Sequence, residues 1–171
     1  MVPGPSKTLA ADVAFALSFE EFFEAEYLRL ARALYLSTGD RLEGEDLAQE
    51  ALARVYERWD RVRMMESPIG YAYRTALNVH RKRQRSLRRR KAVSASTSVA
   101  DTAETVERRE AIRQAIDSLS PSQRDALVLV EFLGLGSGEA AKVLGITPDS
   151  VRARIHRART VLRERFGGSD A

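Results

Sequence analysis

The stretch that most restricts what this chain can fold into is Ser137-Gly-Glu-Ala-Ala-Lys-Val-Leu-Gly-Ile-Thr-Pro-Asp-Ser-Val-Arg-Ala-Arg-Ile-His-Arg-Ala-Arg159. Ala140, Ala141 and Leu144 fall on the inner face of a short predicted helix. Gly145 follows as a turn, where a left-handed backbone costs glycine little. Ile146 plugs the joint, Thr147 caps the next helix and Pro148 starts it. That helix turns Val151, Ile155, Ala158 and Leu162 inward, and Asp149, Ser150, Arg152, Ala153, His156 and Arg157 outward. Small residues, a glycine turn and a basic second helix describe a helix-turn-helix. Such a unit docks with the outward N-terminal residues of its second helix against base edges in the major groove. An arginine there can bond guanine bidentately, which discriminates by about 1–3 kcal/mol. Arg154 lies nearer the buried edge and is expected to pair with Glu139. The plainer reading is two packed helices with a solvated basic surface.

Helical spacing governs the rest of the chain, and no stretch alternates with the period of two that strands need. Ser18 and Glu21 form a capping box that opens a helix running to about Leu36. Thr38-Gly39-Asp40 signals a turn. A second helix is expected from about Glu45, with Leu47, Ala51, Leu52, Val55, Trp59 and Val62 along one face. Ser67-Pro68 starts a third, which places Ala72, Tyr73, Ala76 and Leu77 inward and continues as a polar arginine run to Lys91. From 92 to 104 there is no aromatic residue and no periodic face. This stretch cannot bury enough apolar area to offset its ordering entropy, so it is expected to be a flexible linker. Beyond it, Val106–Leu119 carries a stripe of Ile112, Ile116 and Leu119. Ser120-Pro121-Ser122-Gln123 then opens a helix containing Ala126, Leu127, Val130 and Phe132, which Gly134 and Gly136 end. The expected fold is therefore all-α. It has a tail at 1–17, helical domains at 18–91 and 105–166 joined by the linker at 92–104, and a second tail at 167–171.

Charge is segregated along this plan. No acidic residue occurs from Ser67 to Ala100, where Arg74, Arg81, Lys82, Arg83, Arg85, Arg88, Arg89, Arg90 and Lys91 accumulate. A second basic stretch, Arg152 to Arg165, follows the glycine turn. Fields of this kind draw in polyanions more than the net charge of +4 suggests. The 171-residue chain has no cysteine, which excludes disulfides, thiolate metal sites and cysteine nucleophiles. No apolar run reaches the roughly 18 residues of a membrane span, and no secretory signal is visible in Met1–Ala11, so membrane insertion is not expected. A glycine-rich phosphate loop, a nucleophile elbow and metal-ligand spacing are all missing. His80 and His156 both neighbour arginines and read as surface residues. The chain is therefore expected to be no enzyme, with no cofactor and no metal.

The motif set resembles the extracytoplasmic-function sigma factors of RNA polymerase. Glu139-Ala140-Ala141, Leu144-Gly145, Ser150-Val151 and Arg157-Ala158-Arg159 are similar to the family's region 4 pattern of Glu-Ile-Ala, a Leu-Gly turn, Thr-Val and Arg-Ala-Arg. Leu119-Ser120-Pro121-Ser122-Gln123-Arg124 resembles the helix start that precedes it. Independently, Thr38-Gly39-Asp40 with Glu45-Asp46-Leu47-Ala48-Gln49-Glu50 resembles the region 2 signature, and Trp59 falls where a tryptophan commonly closes that helix. Tyr71-Ala72-Tyr73-Arg74-Thr75-Ala76-Leu77-Asn78 resembles the promoter-melting segment. The chain departs from the pattern in having Lys82 where aspartate is frequent, Tyr71 for tryptophan and Ala140 for isoleucine.

The resemblance implies three tasks. Asp46, Gln49 and Glu50 are expected to bind core RNA polymerase. Tyr71, Arg74, Asn78, Arg81, Lys82 and Arg85 are expected to meet the melted −10 element, with Tyr71 the base-facing aromatic and Tyr73 in the core. The loop Arg61–Ser67 is a further candidate for holding a flipped base. Asp149, Ser150, Arg152, Ala153, His156 and Arg157 are expected to read the −35 element as duplex. The partners implied are core polymerase and promoter DNA, both duplex and melted strand. An anti-sigma protein is common in the resembled family. The expected location is the cytoplasm. A two-domain operator-binding regulator could use the same C-terminal motif, but it needs a sensing pocket or a dimer interface upstream, and the arginine-rich 81–91 segment suits neither.

Overall fold

The computed structural model describes residues 18–90 and 103–166, and every regular element among them is helical. Helix α1, Phe19–Thr38, begins at the expected capping box: the Glu21 amide donates to Ser18 Oγ at 3.2 Å and the Ser18 amide to the Glu21 carboxylate at 2.8 Å. Gly39, at φ +78°, ends it by donating its N–H to the Tyr35 carbonyl. The helix runs two residues past Leu36.

Helix α2, Arg41–Tyr56, starts four residues before Glu45. The reason is Asp40, whose carboxylate accepts from the Glu43 amide at 3.0 Å and so caps a turn that apolar periodicity does not mark. Its expected continuous face to Val62 is interrupted: Arg58 leaves helical geometry, and Trp59–Val62 forms a separate short helix, α3. The break swings the Trp59 ring onto Phe22 and Phe19, with centroids 5.0 and 5.7 Å away. Helix α4, Pro68–Arg90, opens with the Gly70 amide donating to Ser67 Oγ at 3.1 Å.

Leu30, Leu34, Leu47, Leu52, Val55, Val62 and Tyr73 are fully buried between these helices. Burying each such side chain stabilises the fold by about 1.5–3 kcal/mol before ordering entropy is subtracted. The α1–α2 crossing is close because Gly44 faces it. A Cβ there would lie 2.8 Å from the Tyr35 nitrogen and 3.0 Å from the Ala31 carbonyl oxygen.

Most of the expected linker lies outside the described residues; helix α5 spans Ala103–Asp117. Ala115 and Leu119 are buried, but Ile112 is 45% exposed, so the expected stripe is buried only toward its C-terminal end. Helix α6, Pro121–Leu127, has the Ser120–Gln123 capping box and passes into a π-type segment, Val128–Phe132. The wider turn shifts the inward register. Val128 and Leu129 are buried, whereas Phe132, expected on the apolar face, is 37% exposed. Helices α7, Ser137–Leu144, and α8, Pro148–Phe166, complete the chain's described part.

The two helical sets pack together. Leu133, Leu135, Ala140 and Val151 belong to the same buried cluster as Leu34, Ile69 and Tyr73. Polar ties cross the junction. Arg29 donates to the Leu133 carbonyl at 2.5 Å, Arg124 to the Ser37 carbonyl at 3.1 Å, and Lys142 pairs with Glu66 at 2.5 Å.

Candidate nucleic-acid interface

The geometry of α7 and α8 follows from the turn between them. Gly145 sits at φ +68° and donates to the Ala141 carbonyl, and Thr147 Oγ1 accepts from the Ser150 amide at 3.2 Å. Val151, Ile155 and Ala158 then anchor α8 against the core. The opposite face presents Asp149, Arg152, His156 and Arg157 exposed, with Ser150 and Ala153 half-buried beside them. All six expected residues thus share one surface. Arg152 pairs with the Asp149 carboxylate and donates to Ser137 Oγ at 3.2 Å, which fixes its guanidinium across the start of both helices.

The expected Arg154–Glu139 pair does not form. Glu139 instead accepts from the Gly136 amide at 2.7 Å, turning back to cap the start of α7. Glu131 is taken by Arg159.

The second candidate surface is α4, where the six expected residues are not equally available. Asn78, Lys82 and Arg85 are exposed and have no hydrogen-bond or ion-pair partner among the described residues. Tyr71 is half-buried, with its hydroxyl 3.4 Å from Arg58 Nη1. Arg74 donates to the Lys142 carbonyl of α7 at 3.4 Å, and Arg81 lies 3.6 Å from the Asp125 carboxylate of α6. The C-terminal set therefore occupies part of the α4 surface. Gly70 shows how closely: a Cβ there would lie 3.0 Å from Val143 and 3.1 Å from Leu135.

Asp125 was not singled out by sequence, and it is the buried charged side chain among the described residues. It accepts from the Tyr73 hydroxyl at 3.3 Å, and that hydroxyl is 2.6 Å from Ser37 Oγ. Burial raises the Asp125 carboxyl above its usual value, against the pull of Arg81 and the Tyr73 hydrogen bond. Burial, reinforced by the neighbouring Asp125 charge, likewise raises the Tyr73 phenol. The available signal is an aspartate directly before Ala126, on the buried side of α6. Arg58, beside Tyr71, was also missed, because it precedes Trp59 at a break that helical periodicity does not reveal.

The third candidate surface lies on α2. Asp46 and Gln49 are exposed and Glu50 is half-buried, one helical turn apart on a single face. Gln49 Nε2 donates to the Tyr27 hydroxyl at 3.4 Å, and Tyr27 stacks on Phe23 with ring centroids 5.2 Å apart.

Two family descriptions match the chain: sigma-70 region 2 over residues 22–90, and sigma-70 region 4 over residues 109–162. An RNA polymerase sigma-E factor of Streptomyces avermitilis is 30% identical over 160 residues, covering 90% of this chain and 88% of that protein. The ECF RNA polymerase sigma factor SigM of Mycobacterium tuberculosis is 27% identical over 95% of this chain and 84% of its own. Among solved structures, the sigma factor RpoE of Bartonella quintana, in complex with the anti-sigma factor NepR, has a similar fold. Its TM-score is 0.74 at 21% identity, over 90% of this chain and 98% of that one. CnrH, solved with the cytosolic domain of CnrY, gives 0.65 at 21% identity, over 96% and 98%.

Proposed function

The chain belongs to the extracytoplasmic-function RNA polymerase sigma factors, and from that premise we propose how its surfaces share the work of promoter recognition. A sigma factor directs promoter recognition for transcription initiation, and the family consists of non-catalytic DNA-recognition subunits. In our reading, residues 18–91 and 105–166 are the two working modules. Helix α8 enters the major groove of the −35 element, with Arg152, His156 and Arg157 on bases or phosphates and Asp149, Ser150 and Ala153 at the leading end. Helix α4 meets the −10 element. Tyr71 and Asn78 face an extruded base, while Arg74, Arg81, Lys82 and Arg85 follow the backbone. Asp46, Gln49 and Glu50 dock on core polymerase.

The observation that carries this reading is the pairing of two exposed cationic helix faces with one acidic face on a single small chain. Energetics explain why core is required. Opening several base pairs costs about 1.4 kcal/mol per stacking step. Stacking one or two extruded bases on protein returns only about 1–3 kcal/mol each. The free protein therefore binds DNA weakly and salt-dependently, and opens none. Arg74 and Arg81 also contact Lys142 and Asp125 of the other module, so part of the α4 surface is shared between promoter and module. An anti-sigma protein that holds the two modules together is the further partner this reading implies, and the cytoplasm is the place of action. No described helix is long and apolar enough to cross a membrane.

In vitro transcription with purified core polymerase on a pool of genomic promoters tests the proposal. Protein-dependent transcripts should share two spaced elements upstream of their starts. Their absence, together with dimeric binding to a palindromic site, would instead favour an operator-binding regulator.

A further inference from the structure

Arg83 lies in the basic run of α4 but does not face the side where Lys82 and Arg85 stand exposed. Its Nη1 donates to Asp46 Oδ2 at 2.7 Å, and its Nη2 pairs with Glu50 Oε2. The other Glu50 oxygen takes Arg54 at 2.6 Å. One turn earlier on α4, His80 Nδ1 lies 2.8 Å from Glu43 Oε1. Positions 80 and 83 of α4 thus meet positions 43, 46 and 50 of α2 along one seam. Taking Arg83 to a phosphate would break both of its ion pairs at once, whereas Lys82 and Arg85 can move to one freely.

The seam leaves a distinctive surface. Arg83 holds one oxygen of Asp46 and leaves Oδ1 outward on a side chain that is 63% exposed. Tyr27 takes the Gln49 amide nitrogen and leaves its carbonyl oxygen. Both Glu50 oxygens are fixed, each with lone pairs to spare. Exposed Asp46 and Gln49, with half-buried Glu50 beside them, form a row of held acceptors suited to the guanidinium and ammonium donors of a basic partner surface.

We propose that Arg83 is a positioning residue for polymerase docking: by bridging Asp46 and Glu50 it pre-orients the acceptor row that core engages, and it makes no DNA contact. The proposal rests on the assignment of Asp46, Gln49 and Glu50 to core. A planar fork spanning two carboxylates is only partly reproduced by a lysine, whose ammonium keeps the charge but lacks the fixed fork geometry.

The test measures core affinity by fluorescence titration without DNA, then promoter transcription across a range of core concentrations. Arg83→Met should raise the dissociation constant for core about tenfold, shifting half-saturation while retaining the transcription plateau. The salt dependence of promoter binding by the saturated holoenzyme should be unchanged. Arg83→Lys should fall between. Because Arg83→Met could also disturb packing, the decisive comparison adds it to Asp46→Asn/Glu50→Gln, where it should cost no further core affinity. Wild-type core affinity for Arg83→Met, or a lowered plateau with a shallower salt slope, would overturn the proposal. If Asp46→Asn/Glu50→Gln itself binds core as tightly as wild type, the docking assignment fails and the proposal with it. If that variant binds weakly while Arg83→Met does not, only the proposal fails.

Discussion

The Tyr73 hydroxyl on α4 donates to the Asp125 carboxylate on α6 across 3.3 Å, joining the proposed promoter-melting helix to the module that carries the helix-turn-helix. Tyr73 has one proton, so the Ser37 hydroxyl at 2.6 Å must donate to it in turn. A directional chain from α1 through α4 to α6 is thereby buried at the junction.

Removing the phenol should loosen that junction. Tyr73→Phe leaves buried Asp125 and half-buried Ser37 without their shared partner, a loss of about 1–3 kcal/mol. With fluorophores on α2 and α8 of the free protein, energy transfer should fall relative to wild type and chemical denaturation should begin earlier. Unchanged transfer and stability would mean that the contact does not hold the modules together.

The same carboxylate predicts a pH dependence. Burial holds Asp125 above its usual 3.8, against Arg81, Tyr73, Arg124 and His80, so the folded state retains a proton that the unfolded chain has released. This contribution to stability is complete below 3.8 and is lost as pH rises through the folded value. Asp125→Asn should remove that component. The wild-type minus variant stability difference should decline with rising pH across the window, and a difference that grew would give the wrong sign.

The two basic helices should respond differently to truncation. Arg152→Ala removes a side chain oriented by Asp149 and Ser137 toward the proposed groove face, so it should relax base preference at one or two −35 positions. Arg89→Ala on exposed α4 should weaken binding evenly across sequences and flatten the salt dependence. Identical profiles on a promoter-variant panel would rule out base readout by Arg152.

At the α1–α2 crossing, Gly44→Ala should destabilise the protein by about 1–3 kcal/mol, because the new methyl meets backbone atoms that cannot rotate away. Thermal unfolding should register a fall of several degrees. A neutral effect would mean that the two helices can part at little cost.

What was legible in the sequence was whatever local chemistry dictates. The Ser18 and Ser120 boxes, the Gly145 turn and the inward placement of Tyr73 all follow from neighbours within a few residues. The start of α2 escapes the apolar pattern because Asp40 caps a turn lying ahead of it. An α-helical period puts Phe132 inward and cannot foresee the π-type turn that exposes it. The Arg74, Arg81 and Arg83 partners are long-range. In sequence these cations look alike; three-dimensional proximity assigns Arg81 to Asp125 and Arg83 to Asp46 and Glu50, and leaves Lys82 and Arg85 exposed.

Permanganate footprinting of one promoter with this protein, with core polymerase, and with both is the most direct measurement. Reactive thymines around the −10 element should appear only when both are present. Opening by the protein alone, or none by the mixture on a promoter the mixture transcribes, would contradict a chain whose two cationic helices act on DNA only from the surface of core polymerase.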